Sequence, residues 1–289
     1  MRAAIESGDQ TLLFAVDADG FTLLHVAARY GLVDSVQQLI EAGGKKLLFA
    51  TNKEGQSALH YASLHDRVEA LRLLIEAGGK KLFLMADCEG RSALHAAASK
   101  GHVESLRELI EAGGMELVLL RSKYGQTALH LAVDKGNEAA ARMLIKAGGK
   151  ELQRLIKAGG KELVLLRSKY GQTALHLAVD KGNEAAARML IKAGGKELLF
   201  KTDIEGGSAL HCAAHNGHAG VAKELVELGS KDLVLLVTND GMSALVFAAQ
   251  YGHEATVRLL IEAGGEGLLF VNTNGTKLLP RVMWKLRGC

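Results

Sequence analysis

Proline and cysteine are scarce in this sequence, and each shortage argues against a class of protein. Only one proline, Pro280, occurs in 289 residues, so no proline-rich linker divides the chain. The three cysteines, Cys88, Cys212 and Cys289, are odd in number and follow no regular spacing, which argues against a disulfide framework. We therefore expect an intracellular protein, cytoplasmic or nuclear.

Long apolar runs and a large excess of charge are also lacking. No apolar run approaches the roughly 20 residues that span a bilayer, and the charged residues within positions 1–6 are unlike a signal peptide. The net charge of +3 is too small to require a nucleic-acid or membrane partner. We expect a soluble monomer that does not contact a membrane.

What the chain does contain is one motif in seven copies. A Gly-x-Ser/Thr-x-Leu pattern recurs every 35 residues, except for one step of 46 residues between Gly125 and Gly171, and six copies continue with His. The copies begin at Gly20, Gly55, Gly90, Gly125, Gly171, Gly206 and Gly241. This period is typical of a solenoid, in which each repeat packs only on its neighbours. We predict a single array over residues 1–289.

The third copy illustrates the helices that each repeat predicts. Ser92 is a suitable N-cap and Gly101 a suitable left-handed stop, so we place helix A between them. Residues 103–112 carry apolar side chains at helical spacing on one face and predict helix B. We expect helix B to end at the glycine pair Gly113 and Gly114.

An apolar run and a polar tip connect one repeat to the next. In the third copy residues 117–120 are apolar, and they lead to the tip at residues 122–125. The same apolar triplet recurs in every repeat, and leucine, valine and phenylalanine are most often buried, so we assign the triplets to the core.

The unit Gly-x-Thr-Ala-Leu-His-x-Ala, followed by Gly-His or Gly-Asn and an apolar helix, closely resembles the ankyrin repeat, whose hallmark is Thr-Pro-Leu-His. Alanine replaces the motif proline here, except at Leu23 in the first copy, and the segment after helix B is two residues longer. The resemblance implies an all-α solenoid of stacked helix–turn–helix units with hairpin-like loops, with about seven repeats and partial end units.

The boundaries follow from the motif. We expect a partial unit at 1–19, repeats that start near residues 20, 55, 90, 125, 171, 206 and 241, and a divergent end at 275–289. Because the chain begins inside a repeat and ends in a divergent unit, we expect it to be a fragment of a longer protein or a truncated product.

A duplication explains the one irregular step. Residues 116–152 and 162–198 are identical, which leaves an insertion of 11 residues within about 147–163. One interpretation is a single long helix B through Gly148 and Gly149. The other, which we favour, docks one copy of the helix end in the array and lets the second copy bulge out as a loop or short helix, because two interior glycines cost about 1 kcal/mol each.

The histidines are the first candidates for chemistry. The resemblance implies that six of them bridge backbone groups of adjoining tips, namely His25, His60, His95, His130, His176 and His211. Three more, His102, His218 and His253, follow the glycine that ends helix A, which is again an expected position in the family. His211 and His215 have a metal-like spacing on one helix, but because His211 already has a structural role we expect no metal.

Catalysis and cofactor binding also lack candidate residues. Each Ser or Thr of the motif is explained as a helix cap. The glycine pairs follow a helix and lack the Lys-Ser/Thr ending of a phosphate loop. We expect no enzyme and no cofactor.

A protein-binding scaffold is the function that the resemblance implies, since ankyrin proteins typically bind a partner on the concave side through the tips and the ends of helices A. Variable residues at those positions are the candidate contacts. The candidates are Phe21, Tyr30, Arg91, Lys123, Tyr124, Lys135, Lys169, Tyr170, Lys181 and Tyr251. Exposed aromatics dominate interface energies, so the tyrosines and Phe21 are the expected anchors.

Other functions stay open at this point. The basic tips that contain Tyr124 and Tyr170 suggest binding of nucleic acid or of an acidic partner. The array could also be an accessory fragment of a larger signalling protein, or an engineered duplication variant of a repeat protein.

Overall fold

The computed structural model describes residues 10–155 and 162–264. Its contacts divide the chain into two compact units, Met1–Gly160 and Lys161–Cys289, and each unit is described by itself below. Within the described ranges the regular elements are helices, which confirms the all-α fold class. None of these helices combines the length and the apolar character needed to cross a membrane.

Helices alternate in length in both units. The first unit contains α1 (Gln10–Leu13), α2 (Leu23–Tyr30), α3 (Val33–Leu48), α4 (Ala58–Leu64), α5 (Val68–Phe83), α6 (Ala93–Lys100), α7 (Val103–Val118), α8 (Ala128–Asp134) and α9 (Glu138–Leu155). The second unit contains α10 (Glu162–Leu165), α11 (Ala174–Asp180), α12 (Glu184–Leu199), α13 (Ala209–Asn216), α14 (Ala219–Val234), α15 (Ala244–Tyr251) and α16 (Glu254–Gly264).

Like helices stack on like helices. The short helices α2, α4, α6 and α8 form a row of helices A in the first unit, and α3, α5, α7 and α9 form a row of helices B beside it. In the second unit α11, α13 and α15 are helices A, and α12, α14 and α16 are helices B. This stacking of helix pairs is the predicted solenoid arrangement.

The repeated apolar positions make up the core. The motif leucine, such as Leu24, Leu59 or Leu94, is fully buried in its repeat. The apolar triplets also contribute buried side chains, for example Leu117 and Val118, which agrees with their assignment to the core.

The helix caps occupy the predicted positions. Ser92 is the N-cap of α6 with extended backbone, and Gly101 ends this helix with a φ of 77°. Short antiparallel bridges flank several tips, such as Val16 with Thr22 and Thr202 with Ser208, so the loops are hairpin-like as expected.

The glycine pair interrupts helix B where the sequence predicts its end, but a further helical turn that was not predicted follows it. Gly114 has a φ of 55° and interrupts α7, but the chain then forms one more helical turn that ends at Val118. The two glycines meet different constraints, because a Cβ on Gly113 would lie 2.6 Å from the Cβ of Leu117, whereas Gly114 needs the positive φ. The added turn places Leu117 and Val118 in the core.

The duplicated helix end lies partly within the described residues. Helix α9 spans Glu138–Leu155 and is two residues longer than its counterpart α12. Residues 156–161 lie outside the described residues, so which copy of the helix end docks in the array stays a prediction. Residues 1–9 of the predicted partial unit at 1–19, and the divergent end at 275–289, also lie outside the described residues.

Two serines at the same motif position differ in their hydrogen bonds. Ser208 caps α13, and its hydroxyl lies 2.9 Å from Nδ1 of His211. The seventh copy has Val246 in place of the histidine, and the buried Ser243 hydroxyl has no hydrogen-bond partner.

We predict that these two serines respond differently to alanine. Ser208→Ala removes a cap interaction and should lower the free energy of unfolding by about 1 kcal/mol. Ser243→Ala removes an unsatisfied hydroxyl, so it should leave the stability unchanged or raise it. Urea unfolding followed by circular dichroism measures both changes. An equal loss in the two variants would contradict the assignment of the histidine as the partner that makes this cap effective.

Candidate binding surface

A polar side chain at the start of each tip holds its turn. In the third repeat Asp87 Oδ1 accepts the backbone N–H groups of Glu89 and Arg91 at 2.9 and 2.8 Å. Asn52 and Asp203 accept the equivalent pairs in their own tips. These side chains are Asx-type turn residues, a role that sequence reasoning missed. The signal was present, since the seven positions keep the motif spacing: Asp17, Asn52, Asp87, Ser122, Ser168, Asp203 and Thr238.

Backbone hydrogen bonds join neighbouring tips within each unit. In the first unit the N–H of Cys88 donates to the carbonyl of Glu54, and the N–H of Lys123 donates to the carbonyl of Glu89, both at 2.8 Å. In the second unit the N–H of Asn239 donates to the carbonyl of Glu205 at 2.8 Å. The tips of a unit therefore form one connected row.

The motif histidine ties each helix A to the following tip. Nδ1 of His95 accepts from the backbone N–H of Ser92 at 3.2 Å, and Nε2 lies 3.1 Å from the carbonyl of Gln126 in the next tip. Because a backbone N–H can only donate, the ring proton must be on Nε2, which donates to the carbonyl. The same bridge occurs at His25, His60, His176 and His211. This geometry confirms the role that the family resemblance implied.

Burial keeps these imidazoles neutral. Desolvation lowers the pKa of His95 and of His211 to about 4, against a smaller opposing contribution from the carbonyl hydrogen bond. The pKa values of His25, His60 and His176 are lowered by the same cause. A protonated ring could not accept from the cap, so the bridge requires the neutral form.

A second set of side chains links the ends of helices A. Nε2 of His102 lies 3.0 Å from the carbonyl of Leu64, and Nε2 of His253 lies 2.9 Å from the carbonyl of His215. Asn137 makes the corresponding bond to Ala98 at 2.9 Å, which sequence reasoning missed. These residues therefore join adjacent repeats.

His211 and His215, whose spacing resembles that of metal ligands, both make structural contacts. His211 engages Ser208 with Nδ1 and the carbonyl of Met242 with Nε2, so neither ring nitrogen is available for a cation. The ring of His215 packs at 4.3 Å from that of Tyr251. The spacing therefore reflects two structural positions of helix α13.

Four of the predicted aromatic anchors are accessible to solvent. Tyr124 and Tyr170 lie on tips with 41% and 51% of their surface exposed. Tyr30 and Tyr251 lie at the ends of α2 and α15 and are 60% and 51% exposed.

Phe21 differs from the prediction that it is an exposed anchor. Its ring is half-buried and packs edge-on against Tyr61, with 4.9 Å between the ring centroids. The side chain therefore supports the first two repeats, and its contact with a partner stays a prediction.

The predicted basic contacts are exposed but several lie beside carboxylates. Arg91 pairs with Asp87 at 2.9 Å, and Lys135 pairs with Asp134 at 2.9 Å. Lys181 lies 3.5 Å from the neighbouring Asp180. Lys123 and Lys169 are exposed on the two tips that are identical in sequence.

One groove in the first unit brings two predicted residues together. It has a volume of about 370 Å³ and lies between tip residues, such as Arg91, and helices A, with Lys135 at the end of α8. In this unit the tips and helices A thus share one face, and we call this face, and the corresponding face of the second unit taken by itself, the tip face. Sequence reasoning missed two residues that shape this groove: Tyr61 and Ala96.

We predict that the buried histidines make the fold sensitive to acid. Each folded-state pKa lies below the unfolded value of about 6.5, so the unfolded chain binds more protons and stability falls as the pH drops from 6.5 towards 4. For His95, with its pKa of about 4, the loss at pH 5 should be about 2 kcal/mol.

The variant His95→Gln cannot titrate and supplies the comparison. Urea unfolding at pH 7 and pH 5 should show a smaller loss on acidification in His95→Gln than in the unaltered protein. Equal losses would contradict the neutral buried imidazole.

Comparison with known proteins agrees with the geometry. A model of three ankyrin repeats matches residues 1–84, 78–155 and 195–269, and a single-repeat model matches residues 170–203. A search of curated proteins gives no match.

A solved structure is similar as well. The chain resembles the crystal structure of the ankyrin repeat domain of Bcl-3, described as a unique member of the IkappaB protein family, with a TM-score of 0.68. The identity is 24%, over 84% of this chain and 99% of that chain, so this likeness shows the fold alone. The repeat models cover most of the sequence, and the chain belongs to the ankyrin repeat family.

Proposed function

We propose that the chain is a non-enzymatic, intracellular protein-binding module that engages a protein partner through the tip face. The placement of the tyrosines is the observation that supports this most directly. The chain has five tyrosines, and each lies on a tip or on a helix A: Tyr30, Tyr61, Tyr124, Tyr170 and Tyr251. Four of them are exposed, and tyrosine is enriched among residues that dominate binding energy.

The contrast between repeated and variable positions supports the same surface. The motif Ser/Thr, Leu and His side chains are buried in every copy in which they occur, for example at Ser92, Leu94 and His95. The residues that differ between copies, such as Tyr30 and Tyr251, are exposed at the ends of helices A. A constant interior with a variable face is what partner recognition requires of a repeat protein.

Charge favours a protein over nucleic acid. Arg91, Lys135 and Lys181 are accessible to solvent, but each lies within 4 Å of a carboxylate, so these cations do not form a continuous positive row. Binding to a phosphate backbone depends on cations that replace condensed counterions. Such binding needs a row of cations along the phosphates, and the acidic tip residues Glu54 and Glu89 interrupt that row.

We predict that the two tip tyrosines contribute to partner binding. The double variant Tyr124→Ala, Tyr170→Ala should weaken binding of a captured partner by about 30-fold, the size expected for loss of anchor residues. Its melting temperature should not change, because both rings are exposed. Affinity capture from a cell extract identifies the partner, and titration calorimetry then measures the affinity.

Leu228 provides a matched control on the other row of helices. It lies on α14, a helix B, and is 56% exposed, so Leu228→Ala removes a similar apolar surface away from the tip face. The control should bind as the unaltered protein does. A partner that is lost with Leu228→Ala but retained by the tyrosine double variant would contradict the proposed face.

Nucleic-acid binding gives a distinct result in the same setting. If the chain binds duplex DNA with an affinity that falls steeply between 50 and about 200 mM salt, and captures no protein, then the basic tips are the binding surface instead.

A further inference from the structure

The groove on the tip face of the first unit is a notch one helix wide. Ala96 and Ser99 on α6 form its floor. Tyr61 and Leu64 on α4 form one wall, and Leu131 on α8 forms the other. The floor side chains are small and these wall side chains are large, while polar side chains such as Gln56 and Gln126 line other parts of the groove.

The notch arises from one position of the repeat. Tyr61, Ala96 and Leu131 are 35 residues apart and each follows the motif histidine, so they occupy equivalent places on successive helices A. In the second unit the same position holds Leu177, Cys212 and Phe247. Ala96 is the smallest residue of this set, and large side chains fit at the equivalent position in other repeats.

The volume suits one large side chain. A cavity of about 150 Å³ accommodates a benzene ring. The notch, with about 370 Å³, has room for one large apolar side chain and the backbone that carries it.

At the rim of the notch the cationic side chains are more exposed to solvent than the carboxylates with which they pair. The Arg91 side chain is 42% exposed, whereas its partner Asp87 is 4% exposed. Both oxygens of Asp87 are occupied, since Oδ1 accepts two backbone N–H groups and Oδ2 accepts from Arg91. At the opposite wall the Lys135 side chain is 58% exposed and that of Asp134 is 26% exposed.

Further cations follow the ends of helices A in this unit. Lys100, which follows the floor residue Ser99, is exposed, and so are Arg29 and Arg67. Asp66 lies among them and is also exposed, and its Oδ1 accepts hydrogen bonds from Ser105. The pKa of His65 is consistent with this distribution of charge, because burial lowers it first and the positive charges of Arg29, Arg67 and Lys100 lower it further.

We propose that this notch is the anchor subsite for an acidic peptide segment of the partner. A large apolar side chain occupies the space above Ala96, and flanking Asp or Glu residues face Arg91, Lys135 and Lys100. The inference rests on the proposed function, because it specifies the partner chemistry that the tip face of the first unit recognises.

The test is a selection from a displayed library of random 12-residue peptides on the full chain. We expect the selected peptides to carry Leu, Met or Phe flanked by Asp or Glu. Ala96→Phe fills the notch and should weaken their binding at least tenfold, as measured by fluorescence anisotropy. The matched variant Leu177→Phe changes the equivalent position outside the notch and should bind as the unaltered protein does.

A charge reversal at the rim tests the same subsite without changing the packing of helices A. Lys135→Glu alters an exposed side chain and should weaken binding of the acidic peptides at least fivefold. Lys192→Glu makes the same change of net charge on helix α12, a helix B, and should have no effect. Melting temperatures of all four variants establish that they are folded.

Three results would overturn the subsite: no peptide is recovered, the recovered peptides lack acidic residues, or Ala96→Phe binds them as the unaltered protein does. Failure of the subsite and failure of the proposed function are distinguishable. If Ala96→Phe keeps the partner while the tyrosine double variant loses it, the tip face is the binding surface and the notch is not its anchor. If neither variant loses the partner, the proposed face itself is wrong.

Discussion

The bridge made by the motif histidine is the interaction on which the rest of this structure depends. One buried ring accepts from the cap of its own helix A and donates to the tip of the next repeat, so it fixes local structure and stacking together. A helix of seven or eight residues is marginal in isolation, and a tip has no core of its own. Helix A and the tip are both stabilised because the imidazole connects them. The connection requires that the imidazole stays neutral.

Because buried motif residues stabilise the fold, the exposed residues of the tip face can vary. The caps, the motif leucines and the bridging histidines hold the fold, while exposed residues at the tips and at the ends of helices A differ between copies. The notch above Ala96 shows that the size of one side chain on helix A changes the shape of the tip face. One small residue among larger equivalents opens a groove without disturbing the bridges on either side.

Much of the fold could be predicted from the sequence because the residues that cap, fill and end the helices recur at the same positions in successive repeats. Ser92 and Gly101 bound helix A as expected. The turn after Gly114 was missed because a glycine pair can either end a helix or let the chain re-enter one, and only packing of Leu117 decides. The turn residues of the tips were missed because four residue types share the position. The burial of Phe21 depends on Tyr61, which is 40 residues away along the chain.

The most direct test of the account is hydrogen–deuterium exchange of the full chain with and without a captured protein partner. Binding through the tip face predicts slower exchange in the tips and at the ends of helices A, with helices B unchanged. Protection confined to the exposed sides of helices B, such as around Leu228 on α14, would contradict it.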